Sequence, residues 1–237
     1  MVAAGLLAAA GLVLGWLAYH VQVEDLLKTT PTRSMTSVVL GWTFLAAGIV
    51  SWLKRQSNRI GPLMIGVGFL VLARQFRYSE SPLAFTTFFL LGELPYAMFA
   101  HTVLAYPSGR LIGRVERIFV RVAYGVALVF PFVILLTYDG THRLRYFDYR
   151  PRDSLLYVAG NEDVVTVLQN AYAVVGYGLI ATAFVVLILR KLAYASPRAR
   201  RLFAPLLLAG GVVAALRAIF DSIVTFSGTN PPDAVTP

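Results

Sequence analysis

The sequence predicts an all-α fold, a polytopic helical membrane bundle with seven transmembrane helices, and three observations support this prediction. The chain of 237 residues is 57% hydrophobic and 14% charged, with a mean hydropathy of +0.68, which departs from the balance of soluble domains. Its apolar residues form runs of roughly 20, the length that crosses about 30 Å of hydrocarbon. Its Lys and Arg residues fall in short clusters between those runs, as in loops that orient membrane proteins. We therefore expect one integral membrane domain over residues 1–237, solvated by the lipid bilayer of the plasma membrane.

The composition also excludes several classes of function. The formal net charge of +9 would suit a nucleic-acid-binding protein, but the basic residues are divided among the turns between spans, so we expect no nucleic-acid partner. The absence of cysteine excludes disulfides, thiolate metal sites and cysteine nucleophiles. The three histidines are scattered along the chain, and we expect neither a metal site nor a cofactor.

The first span covers residues 2–21, which form an uncharged run. A cleavable signal peptide is the alternative, but no basic residue follows Met1 and the apolar run is longer than the core of a signal peptide. We therefore expect an uncleaved helix with a cytoplasmic N-terminus. Gly11 and Gly15 have the GxxxG spacing that lets two membrane helices approach closely, which makes them a candidate homodimer contact.

The second, third and fourth spans cover residues 35–53, 60–76 and 83–106. The second span is followed by the basic, acid-free run Lys54–Arg59, which indicates the cytoplasmic side. The third span is short, so Arg74 is expected to extend toward the membrane surface, and Arg77 is expected to mark an outer turn. The fourth span is expected to be one helix with a kink at Pro95.

The remaining spans cover residues 118–138, 164–189 and 202–226. Pro131 is expected to bend the fifth span. The polar loop of residues 139–163 has nearly balanced charge and is placed outside, whereas the basic run that begins at Arg190 is placed in the cytoplasm. Seven spans that start from a cytoplasmic N-terminus leave the chain end extracytoplasmic, so we expect an eighth span after Pro237.

Ionisable residues within the spans need a physical reason, because a charge at mid-helix costs about 2.5–3.5 kcal/mol on insertion scales. Glu93 lies ten residues from the start of the fourth span, about 15 Å along the helix and near the membrane midplane. Arg217 of the seventh span is expected to pair with Glu93, and Asp221, one turn further, is a competing partner. Three roles stay open for this cluster: a charge pair that fixes helix packing, a sensor in which the arginine changes partner, or part of a transport path.

His101 is predicted to lie on the same helix face as Glu93, eight residues further along, and so to belong to the intramembrane polar cluster. A haem ligand would require a second histidine opposite it at similar depth, and the other two do not lie there. We therefore interpret His101 as a hydrogen-bonded packing residue.

The fourth span is followed by Pro107, Ser108, Gly109 and Arg110, which are predicted to form a cytoplasmic turn whose arginine reaches lipid phosphates. This segment lacks the length and the Gly-Lys-Ser/Thr ending of a phosphate-binding loop, which argues against nucleotide binding. No nucleophile with a base, paired carboxylates or metal cluster occurs at catalytic spacing. We expect no enzyme activity from these residues.

Two stretches carry a family resemblance. One begins at Gly41 and reads GWTFLAAGIVSWLKRQSNRIGPLM, and the other reads AHTVLAYPSGRLIGRVER. They resemble the N-terminal multi-span region of actinobacterial membrane sensor histidine kinases, in which a Gly- and Trp-rich span precedes a basic Asn-Arg-Ile-Gly turn and a later span closes on Pro-Ser-Gly-Arg. The resemblance covers most of residues 35–121 and, more loosely, the Arg-Arg-Leu at the start of the seventh span.

The resemblance implies the input domain of a two-component system, which acts as a homodimer and relays a stimulus to a cytoplasmic kinase region and its response regulator. It implies that a longer protein would be an ATP-dependent histidine kinase, whose phosphoacceptor helices and ATP-binding domain are not among these residues. From the residues alone, the alternative is a transporter or channel subunit in which Glu93, Arg217 and Asp221 line a substrate path.

Overall fold

The computed structural model describes residues 2–25, 31–140, 153–160 and 162–194. These residues are helical almost throughout, and no β-strand occurs among them. The elements are α1 Val2–Asp25, α2 Pro31–Lys54, α3 Ile60–Ala73, a 3₁₀ segment Arg74–Tyr78, α4 Pro82–Leu90, α5 Leu94–Ala105, α6 Arg114–Thr137, α7 Glu162–Tyr172, a π-helical segment Ala173–Ile180 and α8 Ala181–Ala193.

Six helical segments of the described residues are long and apolar enough to cross a membrane. They are Val2–Gln22, Met35–Lys54, Ile60–Tyr78, Pro82–Ala105, Arg114–Thr137 and Asp163–Ala193. The predicted all-α bundle is thus confirmed, and its first six spans agree with these segments to within a few residues. The predicted seventh span, residues 202–226, lies outside the described residues.

The hairpin of α2 and α3 is packed through glycine. Gly41 lies against Gly68, and Gly48 lies against Gly61, so that glycines spaced seven residues apart on one helix meet glycines with the same spacing on the other. A Cβ atom on Gly68 would lie 2.8 Å from the Gly41 carbonyl oxygen, and one on Gly48 would lie 2.7 Å from the Ile65 nitrogen. Helix backbones approach this closely only where side chains are absent.

The glycine face of α1 is used within the chain. The indole N–H of Trp42 in α2 donates to the Gly11 carbonyl at 3.0 Å. A Cβ atom on Gly15 would overlap the Trp42 ring, and one on Gly11 would overlap Leu45. The interpretation of Gly11 and Gly15 as a homodimer contact is therefore wrong, because α2 already covers that face.

The fourth span is two helices rather than one kinked helix. Between α4 and α5, the backbone makes turn-like bonds from Gly92 to Phe89, at 3.1 Å, and from Leu94 to Leu91, also at 3.1 Å. Pro95 explains the position of the break, because it has no N–H to donate to the Leu91 carbonyl four residues earlier. A proline at the start of α5 is favourable, since the first turn of a helix has no internal partner for that N–H.

The fifth and sixth spans differ in regularity. Pro131 lies inside α6, which continues through it as one helix. The sixth span changes from α7 to the π-helical segment and back to α8 without interruption. π-helical turns are rare and concentrate at functional sites, which directs attention to this part of the span.

The segment 153–160 covers the end of α6 that is opposite the basic turns. The Ser154 hydroxyl donates to the Leu135 carbonyl at 2.8 Å, and the Val158 N–H donates to the Leu136 carbonyl at 2.9 Å. The last carbonyls of a helix have no partner inside the helix, so these bonds satisfy groups that would otherwise need water. The neighbouring Tyr138 is 1% exposed.

Candidate functional site

A buried carboxylate lies at the break in the fourth span. Glu93 immediately precedes α5 and is 4% exposed. Its Oε1 atom lies 3.8 Å from Arg77 Nη1 and 4.0 Å from Arg74 Nη2. Its Oε2 atom accepts a hydrogen bond of 3.0 Å from the Tyr172 hydroxyl. The third, fourth and sixth spans therefore meet at one side chain.

The two arginines turn inward, contrary to the sequence interpretation. Arg74 was expected to reach the membrane surface and Arg77 to mark an outer turn, but their side chains are 13% and 9% exposed and both approach Glu93. The reason is the 3₁₀ geometry of Arg74–Tyr78, in which side chains three residues apart lie above one another. The Arg74 guanidinium also lies 4.9 Å from the centre of the Tyr96 ring, a favourable cation–π distance.

Tyr172 enters the site from the point where the sixth span changes geometry. It is the last residue of α7, directly before the π-helical segment Ala173–Ile180. Its ring lies over Gly176, where a Cβ atom would come within 2.8 Å of the ring carbon Cε2. Gly176 therefore makes room for the tyrosine, and the tyrosine places its hydroxyl on Glu93.

The electrostatics of this cluster explain how an ionisable residue is tolerated inside an apolar bundle. An isolated carboxylate would be costly to bury, and opposite charges with hydrogen bonds offset that cost. The N-terminal end of α5 adds a partial positive charge next to Glu93. The contact with Tyr172 has hydrogen-bond geometry, whereas the two arginine contacts are longer and ionic. The Glu93 carboxylate is thus a group that Arg74, Arg77 and Tyr172 all contact.

A cavity of about 150 Å³ adjoins the carboxylate, between α5, α6 and the sixth span. Glu93 and Tyr172 lie at its wall. The rest of the wall combines aromatic rings with small side chains, among them Phe99, Phe119, Phe184, Ala97, Ala123 and Ala127. The site thus offers an apolar space with a hydrogen-bond acceptor at its edge.

A second buried polar contact joins α1 to the same region. The Gln22 side-chain amide donates to the Gln75 side-chain oxygen, and the Gln75 amide donates to the Val71 carbonyl at 2.9 Å. Gln22 and Gln75 are 3% and 4% exposed. Gln75 follows Arg74 in the chain, so the first span is tied to the segment that carries the arginines.

The other residues predicted for the polar cluster are placed differently. His101 does not reach Glu93, and its Nδ1 lies 3.4 Å from the Tyr124 hydroxyl of α6, as expected of a hydrogen-bonded packing residue. The spacing itself explains the separation, because Glu93 caps α5 and eight residues of helix place His101 about 12 Å further along the axis. Arg217 and Asp221 lie outside the described residues. Within the described residues, the cations beside Glu93 are Arg74 and Arg77.

The predicted turn Pro107, Ser108, Gly109 and Arg110 is present and packs against the turn between α2 and α3. The Asn58 side-chain amide donates to the Pro107 carbonyl at 2.8 Å. Gly109 has φ +74°, and a Cβ atom there would lie 2.7 Å from the Ile60 nitrogen. Glycine is required on both counts. The side chain of Arg110 is exposed.

Asn58 provides a direct test of this contact. Besides its bond to Pro107, its side-chain oxygen accepts from the Ile60 N–H at 3.0 Å. Asn58→Ala removes both bonds, and we expect it to lower the free energy of unfolding by about 1–2 kcal/mol. The measurement is denaturant unfolding of the purified protein in detergent micelles. Ser57→Ala, at the exposed preceding position, is the control, and equal stability of the two variants would contradict the prediction.

The end of the sixth span meets the same side of the bundle. The Lys191 ammonium donates to the Leu104 carbonyl at the end of α5, and it lies 3.8 Å from Glu116 Oε1 in the first turn of α6. A carboxylate in the first turn of a helix is also favoured by the helix dipole. The described ends of the second, fourth and sixth spans therefore lie together at one end of the bundle.

Sequence reasoning missed five residues that form or adjoin this site, namely Arg74, Arg77, Tyr172, Gln22 and Gln75. Arg74 and Arg77 were assigned to the membrane surface, although their spacing of three residues suits one face of a 3₁₀ turn. Tyr172 lies three positions after Gln169, a buried polar residue. Polar residues at the start of an apolar span could have indicated a buried polar site there. Gln22 and Gln75 are uncharged and gave no charge pattern to detect.

The fold is all-α, and six helical segments of the described residues are long and apolar enough to cross a membrane. These features are consistent with a multi-pass membrane protein. Within the described residues, no group of three or more His, Cys, Asp or Glu side chains is placed to hold a metal ion. Comparison with protein-family models, with curated proteins and with solved structures finds no match.

Proposed function

We propose that this chain is the membrane-embedded sensory domain of a two-component histidine kinase, which relays a stimulus to a cytoplasmic kinase region. The observation that carries the proposal is the contact between Asn58 and Pro107. The two stretches that resemble sensor kinases are far apart in sequence, and their most characteristic turns form one joint surface. A shared surface is a physical reason for both motifs to occur in one chain.

The Glu93 cluster supplies the element that a sensor needs. A stimulus shifts a conformational equilibrium only if it interacts differently with two states. Glu93 joins three spans through contacts of different kinds, and Tyr172, which donates to the carboxylate, directly precedes the π-helical segment. Loss of the tyrosine hydrogen bond would let the sixth span shift relative to the fourth, and the sixth span ends at the basic side of the bundle.

The proposed orientation places the basic side in the cytoplasm of a plasma-membrane protein. Lys54, Arg55 and Arg59 precede α3, and Arg110 follows α5 on the same side of the bundle. Positive residues in short loops favour the cytoplasmic side. The proposed partners are the lipid bilayer, a second copy of the chain, the kinase region and a response regulator. A homodimer would use a face other than that of Gly11 and Gly15.

The test uses the natural gene product. We expect the reading frame to continue after Pro237 into a further span and a kinase region, and membranes that contain the whole product to form phosphohistidine from ATP. Tyr172→Phe is expected to change the phosphohistidine level by roughly threefold or more, since it removes one hydrogen bond of the junction. Tyr157→Phe, at an exposed tyrosine, is the matched control. A stop codon directly after Pro237, or no phosphohistidine, would contradict the proposal.

One observation favours a transporter or channel subunit as the second candidate. Substrate sites of many transporters lie where a span is broken near the membrane midplane, and Glu93 lies at such a break. This candidate predicts ion or solute flux in proteoliposomes that contain the purified chain, with loss of flux in Glu93→Gln. Flux of that kind in the absence of phosphohistidine formation would replace the sensory proposal.

A further inference from the structure

We propose that the cavity beside Glu93 binds a small neutral phenol, with the aromatic ring in the apolar space and the hydroxyl donating to the Glu93 carboxylate. This inference depends on the proposed function in one respect only, which is that the phenol would be the stimulus. The binding itself concerns the described residues and can be measured without a kinase.

The size and lining of the cavity select a single aromatic ring. Apolar cavities of about 150 Å³, the volume found here, hold a molecule of the size of benzene. The rings of Phe99, Phe119 and Phe184 form part of the wall, and aromatic rings favour edge-to-face or offset contacts with another ring. Ala97, Ala123 and Ala127 leave the space that the ring would occupy.

The polar edge of the cavity selects a hydroxyl rather than an ammonium group. Arg77 and Arg74 already lie 3.8 and 4.0 Å from Glu93 Oε1, and a ligand cation would be repelled by both. The Glu93 oxygen already accepts a hydrogen bond from a hydroxyl, so a ligand that supplies a donor matches this edge. A neutral ligand with one O–H group meets both conditions.

The protein itself shows that a phenol fits this acceptor. The Tyr172 side chain is a phenol, and its hydroxyl lies 3.0 Å from Glu93 Oε2. A bound phenol would compete with Tyr172 for the carboxylate and release the tyrosine that precedes the π-helical segment. Ligand binding would thereby be coupled to the position of the sixth span.

The test is a ¹⁹F NMR titration of the purified chain in lipid nanodiscs, with empty nanodiscs as the reference for partition into lipid. The probes are 4-fluorophenol and 4-fluorotoluene, which differ by a hydroxyl in place of a methyl group. We expect saturable binding of both probes, with the phenol bound roughly tenfold more tightly because of its bond to a charged acceptor. Absence of saturable binding, or equal affinities, would overturn the proposal.

Two matched variants locate the binding. Ala181→Leu adds a side chain at a position that lines the cavity, and we expect both probes to bind roughly tenfold more weakly or not at all. Ala183→Leu makes the same change two residues further, at an exposed position outside the cavity, and should leave both affinities unchanged. Equal effects of the two variants would show that the probes bind elsewhere.

Tyr172→Phe tests the competition. It removes the internal hydroxyl that occupies Glu93 and leaves the ring in place, so the affinity for 4-fluorophenol should rise about threefold while that for 4-fluorotoluene stays the same. A fall in phenol affinity would mean that Tyr172 assists the ligand and would overturn the competition. If the probes bind as expected and the natural product forms no phosphohistidine, the cavity inference stands and the sensory proposal fails. If phosphohistidine forms but the probes show no saturable binding, the sensory proposal stands and the cavity inference fails.

Discussion

Replacing Glu93 by alanine is expected to lower the free energy of unfolding by about 3–5 kcal/mol, the cost of removing one partner from a buried charge cluster. The substitution takes away the carboxylate that Arg74 and Arg77 approach and that accepts the Tyr172 hydrogen bond. The measurement is unfolding of the purified protein in mixed micelles at increasing fractions of denaturing detergent. Glu80→Ala, at an exposed carboxylate near the same end of the third span, is the control and should change stability by less than about 0.5 kcal/mol.

A double variant separates the charge interaction from other effects of the substitution. Arg77→Ala is also expected to destabilise the protein, and the combination of Glu93→Ala with Arg77→Ala should cost less than the sum of the two single changes. Additive costs would mean that the two residues do not interact. A stability of Glu93→Ala equal to that of the control would show that the cluster does not hold the three spans together.

Gly68→Ala is expected to lower the free energy of unfolding by about 1–3 kcal/mol, which is a large effect for the addition of one methyl group. That methyl group would lie 2.8 Å from the Gly41 carbonyl oxygen and 2.9 Å from the Leu45 nitrogen. Both atoms belong to the backbone, so α2 and α3 would have to separate. The same denaturing-detergent titration measures the change.

Gly125→Ala is the control for that prediction. Gly125 lies inside α6, and a Cβ atom there would meet nothing within 4 Å. Alanine is the better helix former by about 1 kcal/mol in the interior of a helix, so this variant should be as stable as the natural protein or more stable. Similar losses at Gly68 and Gly125 would contradict the account of the hairpin.

The spans were predictable because hydropathy and charge act over whole segments. An apolar run of about 20 residues can hardly form anything in a membrane other than a spanning helix. The basic turns after Leu53 and Tyr106 mark the ends of the second and fourth spans. The break in the fourth span was only partly predictable. Pro95 indicated a kink, but residues 91–93 form turns that divide the span into two helices.

The partners of Glu93 could not be derived from the sequence for a specific reason. Depth was counted along straight α-helices, and on that scale Arg74 and Arg77 lie near the membrane surface. The 3₁₀ segment and the break in the fourth span both change how far a residue lies along its span and which way it points. Two local departures from α geometry were therefore enough to change which charges meet. The proposed pairing with Arg217 remains a prediction, since that residue lies outside the described part of the chain.

The glycine contacts were visible in the sequence but were recognised only in the structure. Gly41 and Gly48 repeat at the same interval as Gly61 and Gly68, and the connecting turn is short. A matching glycine interval on consecutive spans is a stronger indication of a helix–helix contact than the GxxxG of α1. Two helices joined by a short turn must be antiparallel neighbours.

The glycine hairpin also constrains which parts of the bundle can move. A contact made by side chains can rearrange through a change of rotamer, whereas a contact between backbones has no such freedom. The hairpin of α2 and α3 must therefore respond as one rigid body. The divided fourth span and the sixth span, which contact each other through side chains, contain the contacts that can slide. Motion that begins at Glu93 should consequently displace α5 and α7 against a fixed hairpin, and the turn at Gly109 is the point where that displacement reaches the other end of the bundle.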